Sequence, residues 1–139
     1  LPVDPWFLNE VNPEHTNLIT TARRINDMMP ENTAGQIRRA VSDHSDPQIV
    51  ALGAAYKPNT NDQRNSPAIE LVESLQLDGY QVSHYDRYVD GMGYEDLQSM
   101  LKSEAPDAII QLVPHDETVN QLQKIEHWLG DQKIELLQF

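Results

Sequence analysis

The sequence predicts an α/β protein, with a long N-terminal helix followed by a mostly parallel sheet flanked by helices. Three observations carry this. Short apolar runs alternate with helix-length amphipathic stretches from Asp46 to Phe139. The breaks between them fall at strong punctuators, Gly53, Ser66-Pro67 and Gly79. Residues 12–42 carry an apolar stripe at helical spacing and no strand signal.

Leu1 to Val11 is apolar and rich in Pro and Asn, and is expected to be irregular. Asn12-Pro13-Glu14 reads as a helix start, with a cap, a Pro at the first position and an acid in the first turn. Leu18, Ala22, Ile25 and Met29 then form one stripe, and Ala34, Ile37 and Val41 continue it. Pro30 should kink this helix or split it in two. Such a stretch links domains or packs against a partner chain, so the organisation expected is residues 1–45 and residues 46–139. In the second part, Ile49–Leu52 is a buried-strand signal closed by Gly53, and residues 54–66 form a polar loop. Ser66 as N-cap and Pro67 at the first position open a helix to about Leu77. Strands are expected at 81–85, 108–113 and 134–139, with helices at 94–101 and 116–129.

Composition narrows the function. With 22 acidic against 10 basic residues the net charge is −12, which argues against nucleic acid as a partner, since phosphates must be met by cations. Only Lys57, Lys102, Lys124 and Lys133 are lysines, and this Lys-poor acidic balance hints at a halophilic source. There is no Cys, hence no disulfide, zinc-thiolate centre or thiol nucleophile in these 139 residues. No signal peptide and no apolar run of about 18 residues is present, so a cytoplasmic setting is the default and no membrane partner is expected. His15, His44, His84, His115 and His127 lack metal-ligand spacing and are read as surface or structural, with no metal site. Trp6 and Trp128 read as packing residues.

The informative stretch runs from Gly53 to Pro67, between the first sheet strand and the next helix. Ligands of open α/β sheets sit at the carboxyl ends of strands, and a helix N-terminus there favours anions. Lys57 and Arg64 add positive charge to an acidic chain, and Tyr56 offers a flat face for a base or sugar. A phosphorylated ligand fits this chemistry. An ordinary loop in which Lys57 and Arg64 pair with Asp62 and Glu70 fits it as well.

The run resembles the motif opening the C-terminal domain of the UDP-glucose/GDP-mannose dehydrogenase family, roughly G-hydrophobic-aromatic-K-x-x-T-x-D-x-R-x-S-P. Gly53, Tyr56, Lys57, Thr60, Asp62, Arg64, Ser66 and Pro67 match it in order and spacing. Leu1-Pro2-Val3-Asp4-Pro5-Trp6-Phe7 resembles the tail of the family's catalytic-cysteine segment, in the branch acting on UDP-N-acetylhexosamines such as UDP-N-acetyl-D-mannosamine. Ala22-Arg23-Arg24-Ile25-Asn26-Asp27-Met28-Met29-Pro30 resembles the central dimerisation helix, A-R-x-x-N-x-x-M-P. The resemblance covers nearly the whole chain.

It implies a Rossmann-like C-terminal UDP-sugar-binding domain of an NAD-dependent 6-dehydrogenase. That family oxidises a sugar C6 alcohol to a carboxylate, a thiol trapping the aldehyde as a thiohemiacetal before a thioester is hydrolysed. It implies a UDP-sugar substrate and a homodimer through the helix around Leu18–Met29. NAD would be held by an N-terminal domain absent from this chain, since no G-x-G-x-x-G is present. The family's nucleophilic Cys would fall immediately before Leu1, so the chain alone is expected to be inactive. Asp4 matches a catalytic carboxylate, and Lys57 a lysine contacting the nucleotide-sugar. Tyr56 matches an aromatic position near the nucleotide. Arg64 matches an arginine that either contacts ligand or holds the loop. On the same reading Asp62 braces the loop, Ser66 caps the helix, and Asn26 reaches either the active site or a dimer partner. Two departures stand out: Asp86-Arg87 replaces the family's Asp-Pro, and no Arg follows the last strand. The alternative is a non-catalytic nucleotide-binding and dimerisation module. A response-regulator-like domain would need an acidic cluster for Mg²⁺ at the strand ends, which is missing.

Overall fold

The computed structural model describes residues 4–139. Its order is α1 (Asp4–Val11), a 3₁₀ turn (Pro13–His15), α2 (Asn17–Asp27), α3 (Met29–Ala40), β1 (Gln48–Leu52), α4 (Pro67–Leu77), β2 (Gln81–Tyr85), α5 (Leu97–Glu104), β3 (Ala108–Gln111), α6 (Asp116–Gln132) and β4 (Glu135–Gln138). The four strands make one sheet, β2-β1-β3-β4, in which every pair is parallel. Ile49 is opposite Val82 on one side and Ala108 on the other, so β1 lies between β2 and β3.

Central strands covered on both faces need apolar side chains on both sides of the pleat. β1 supplies this directly. Ile49 and Ala51 face a cluster with Ala34, Ile37, Leu71, Val72 and Leu75, from α3 and α4. Val50 and Leu52 face Leu97, Leu101, Leu122 and Leu129, from α5 and α6. Each of the larger side chains buried there contributes roughly 1.5–3 kcal/mol. The two layers explain why α3, with Pro30 at its second position, is folded onto the sheet while α2 is not.

Several expectations need correction. The irregular segment expected at 1–11 is helical from Asp4 onward, with Pro5 in the first turn, where a missing N–H costs nothing; Leu1–Val3 lie outside the described residues. The helix expected from Asn12 starts as a 3₁₀ turn instead, and α2 begins at Asn17. The buried Thr16 hydroxyl donates to Asn9 Oδ1 at 2.8 Å, and Thr20 donates to the same oxygen at 3.0 Å, which ties α2 to α1. The split expected at Pro30 is present: α2 stops at Asp27 and α3 starts at Met29. The helix expected at 94–101 is shifted to Leu97–Glu104 because Asp96 caps it, its Oδ2 accepting the Ser99 N–H at 2.8 Å. β3 ends at Gln111 rather than at residue 113.

That early end has a local cause. Gly53 leaves β1 with φ +99°, and a Cβ there would lie 2.5 Å from Val113 Cβ and 2.7 Å from Val113 N. The two strand exits pass so closely that only glycine fits. Among the described residues no helix is long and apolar enough to cross a membrane.

Candidate functional site

The Gly53–Pro67 loop leaves the carboxyl end of the central strand β1 and returns into α4. The Tyr56 N–H donates to the Asp62 carbonyl at 2.7 Å and closes the loop on itself. Asn59 (φ 61°) and Asn65 (φ 56°) take left-handed backbone positions that Asn tolerates. The Asn59 N–H donates to His115 Nδ1 at 2.8 Å. Its side chain exchanges two bonds with Asp116 at the start of α6, Nδ2 to Oδ2 at 2.9 Å and Asp116 N–H to Oδ1 at 3.0 Å.

Beneath the loop lies a buried carboxylate. Asp86, directly after β2, is 1% exposed, and His115, directly before α6, is 1% exposed. Asp86 Oδ2 accepts from Ala54 N–H at 2.6 Å, Ala55 N–H at 3.0 Å and His115 Nε2 at 2.9 Å, while Oδ1 accepts from Tyr88 N–H at 2.8 Å. Because His115 Nδ1 is the acceptor for Asn59, its proton sits on Nε2 and points at Asp86. Tyr88 stacks on the imidazole at 4.7 Å between centroids. Burial pushes the Asp86 carboxyl up. The amides of Ala54 and Tyr88, the imidazole and the Ala55 amide outweigh it and hold the group below the usual carboxylate range. Sequence alone assigns this pair no role: Asp86 fits the family's Asp-Pro, from which only Arg87 departs, and His115 falls at a position resembling the family's strand-end His. The available signal was positional: an acid directly after one strand and a histidine between the next strand and its helix, both at the carboxyl edge of the sheet.

The residues singled out from sequence are placed as follows. Tyr56 is half-buried and lines two adjoining cavities between the loop and the α2–α3 joint. One, about 210 Å³, is also lined by Met29, Ala55, Leu112 and Val113. The other, about 270 Å³, is also lined by Arg23, Asn26, Asn65 and Glu70. Pro30 and Pro67 border both. Lys57 is exposed, its Nζ 5.8 Å from the Tyr56 ring centre, and among the described residues it makes no ion pair. Arg64 is bound to Asp62 through Nε–Oδ1 at 2.9 Å and Nη2–Oδ2 at 2.7 Å, with the rest of its side chain in solvent. The Arg64 side chain, followed by its N–H, lowers the Asp62 pKa to about 2. Of the pairs that an ordinary loop would make, Arg64–Asp62 is present. Ser66 occupies the cap position of α4 but makes no cap bond; its hydroxyl donates to the Ala55 carbonyl at 3.4 Å. The first turn of α4 is therefore not closed by Ser66 and borders the cavities. Asn26 and Arg23 come from α2, where Arg23 Nε donates to Asp27 Oδ1 at 2.7 Å. Asp4 is exposed on α1 and lines neither cavity.

These residues do not suit a dinucleotide. In a dinucleotide fold the first strand-to-helix turn offers free amides to pyrophosphate, and an acid after the second strand holds a ribose. Here the Ala54 and Ala55 amides and Asp86 satisfy one another.

A parallel sheet with an aromatic and cationic loop at its carboxyl edge, bordered by an uncapped helix start, defines the class: an open α/β ligand-binding domain. The chain belongs to the UDP-glucose/GDP-mannose dehydrogenase family, whose UDP binding domain matches residues 50–135. It is 39% identical over 121 residues to the UDP-N-acetyl-D-mannosamine dehydrogenase of Pyrococcus horikoshii, covering 84% of this chain and 28% of the relative. The structure of UDP-D-ManNAc dehydrogenase from the same organism superposes with a TM-score of 0.81 at 32% identity, over 99% of this chain and 33% of that one. The UDP-N-acetyl-mannosamine dehydrogenase of Staphylococcus aureus superposes with a TM-score of 0.70 at 29% identity, over 83% and 28%. The chain thus spans about 28% of the length of the curated relative it matches.

Proposed function

We propose that this chain is the UDP-sugar-binding part of an NAD-dependent nucleotide-sugar 6-dehydrogenase, with a UDP-N-acetylhexosamine as substrate. The observation that carries the reading is the Tyr56–Arg64 loop: it stands at the carboxyl edge of the sheet, inside the region matching a UDP binding domain. Tyr56 offers a ring to the base or sugar. Lys57 brings a cation without a carboxylate partner to the diphosphate. Arg64 is reserved by Asp62 and contributes mainly by holding the loop, exchanging Asp62 for phosphate only if the ligand competes with the chelate. The names of the similar proteins favour an N-acetylhexosamine on the nucleotide.

The oxidation, with a thiol forming a thiohemiacetal and NAD accepting hydride, requires groups these residues do not contain. On this reading they come from another part of the parent polypeptide, and Asp4 would serve that chemistry from α1. Dimerisation would use α2 and the joint after it. Leu18 is 83% exposed, Ile25 60%, Met28 58% and Met29 49%, an apolar display that water alone does not favour.

Calorimetric titration with UDP, GDP and ADP, beside Lys57→Ala, tests the site. Selective UDP binding is expected, weakened about tenfold or more in the variant, as for the loss of one charge-assisted contact. Equal affinity for the three nucleotides, or an unchanged variant, would sink the assignment of this loop.

A further inference from the structure

We propose that His115 is a positioning residue for the nucleotide site: with its single proton on Nε2 it latches the Lys57–Asn61 stretch in binding shape, and a second proton releases it. The proposal rests on the reading of this loop as the UDP-sugar site.

Within residues 57–61, and among the described residues, only Asn59 hydrogen-bonds outside the loop. It does so through its N–H to His115 and through its side chain to Asp116. Lys57 stands two residues away, so the peptide at Asn59 sets where its ammonium can reach. The His115 ring is held on three sides: by Asp86 at Nε2, by Asn59 at Nδ1 and by Tyr88 on its face. Asp86 in turn grips the amides of Ala54 and Ala55, where the same loop begins. One carboxylate and one imidazole thus connect the exits of β1, β2 and β3.

The latch depends on protonation by simple donor counting. Nδ1 accepts only while it has a lone pair. An imidazolium presents N–H at both nitrogens, so its Nδ1–H would face the Asn59 N–H, donor against donor. One of them must move, and in a close-packed site it is the exposed loop that yields. The groups around the ring are few. Asp86 from the end of β2 is bonded to Nε2 and the Asn59 N–H from the loop to Nδ1. From α6, Asp116 holds the Asn59 side chain and Glu117 is paired with Arg87 at 2.8 Å. His84 is bonded to the Gly53 carbonyl at 2.8 Å. The ring is therefore a group whose charge state and whose grip on the loop cannot be changed separately.

The test follows the Asn59 amide by hydrogen exchange and the His115 ring nitrogens by NMR. Both are read over about pH 8 to 5. A UDP-hexose is titrated at each pH, because its pyrophosphate diester keeps constant charge there. Asn59 protection is expected to fall as Nδ1 takes a proton, and affinity with it, by up to about tenfold per pH unit. In His115→Asn, whose amide oxygen still accepts from Asn59 but does not titrate, both should be flat. Asn59 protection indifferent to ring protonation overturns the latch, and does so on the unmodified chain even if the variant does not fold. The same pH dependence of affinity in a folded His115→Asn also overturns it. A UDP-hexose that binds at no pH overturns the ligand reading and the effect on affinity, while Asn59 exchange still judges the latch separately.

Discussion

Gly53 shows what a single residue contributes here. Its positive φ and its 2.5 Å virtual contact with Val113 mean that Gly53→Ala must strain the backbone and push apart two strand exits together. We expect a loss of about 3 kcal/mol or more, read as a lower denaturant midpoint at unchanged slope. A loss under about 1 kcal/mol would show that the β1 and β3 exits can separate freely. The sequence indicated Gly53 as the stop of a strand, but a partner 60 positions later leaves no local trace. Arg64 teaches the same lesson from the other side. Its pairing with Asp62 is two residues away in sequence and was open to reading, whereas Asp86 and His115 meet only because the sheet brings them together.

At the scale of elements, apolar periodicity and turn residues made the strands and most helices legible. Their ends were less so, because caps and clamps decide them. Asp96 moved α5, and Asn9 bonding to Thr16 and Thr20 delayed α2. The β1–β2 pair carries a titration of its own. Burial of His84 lowers its pKa, against the pull of the Gly53 carbonyl and of Asp86. The folded state therefore resists a proton that the unfolded chain takes up below about pH 6.5. The unfolded state then binds more protons, so stability falls as pH falls through that value. Thermal midpoints measured from about pH 7.5 to 5.5 should drop in the native chain and drop less in His84→Gln. Identical slopes would assign the acid sensitivity to other groups.

Over the whole molecule, the charge of −12 acts as a distributed self-repulsion that compactness increases. Salt shortens the reach of that repulsion from about 10 Å at 0.1 M to about 3 Å at 1 M. The thermal midpoint is expected to rise between these conditions, by several degrees if the effect reaches about 1 kcal/mol. A midpoint that falls with added salt would mean that pairs such as Arg38 with Glu31 and Asp78 outweigh the net charge. Composition and periodicity disclosed the α/β class at this scale, yet the strand order was silent in the sequence, since each pairing is set by crossovers.

That strand order also shapes how the chain finds its structure. Among the described residues no strand touches its sequence neighbour through a hairpin; β1 must wait for Gln81–Tyr85 and then for Ala108–Gln111 before it is covered on both edges. Contacts of such sequence separation close slowly, because loop entropy is lost before they form. β4, joining last and at the edge, is expected to contribute little to the rate-limiting assembly. Substitutions in Glu135–Gln138 should hasten unfolding while leaving the refolding rate nearly untouched, and those in β1 should slow refolding.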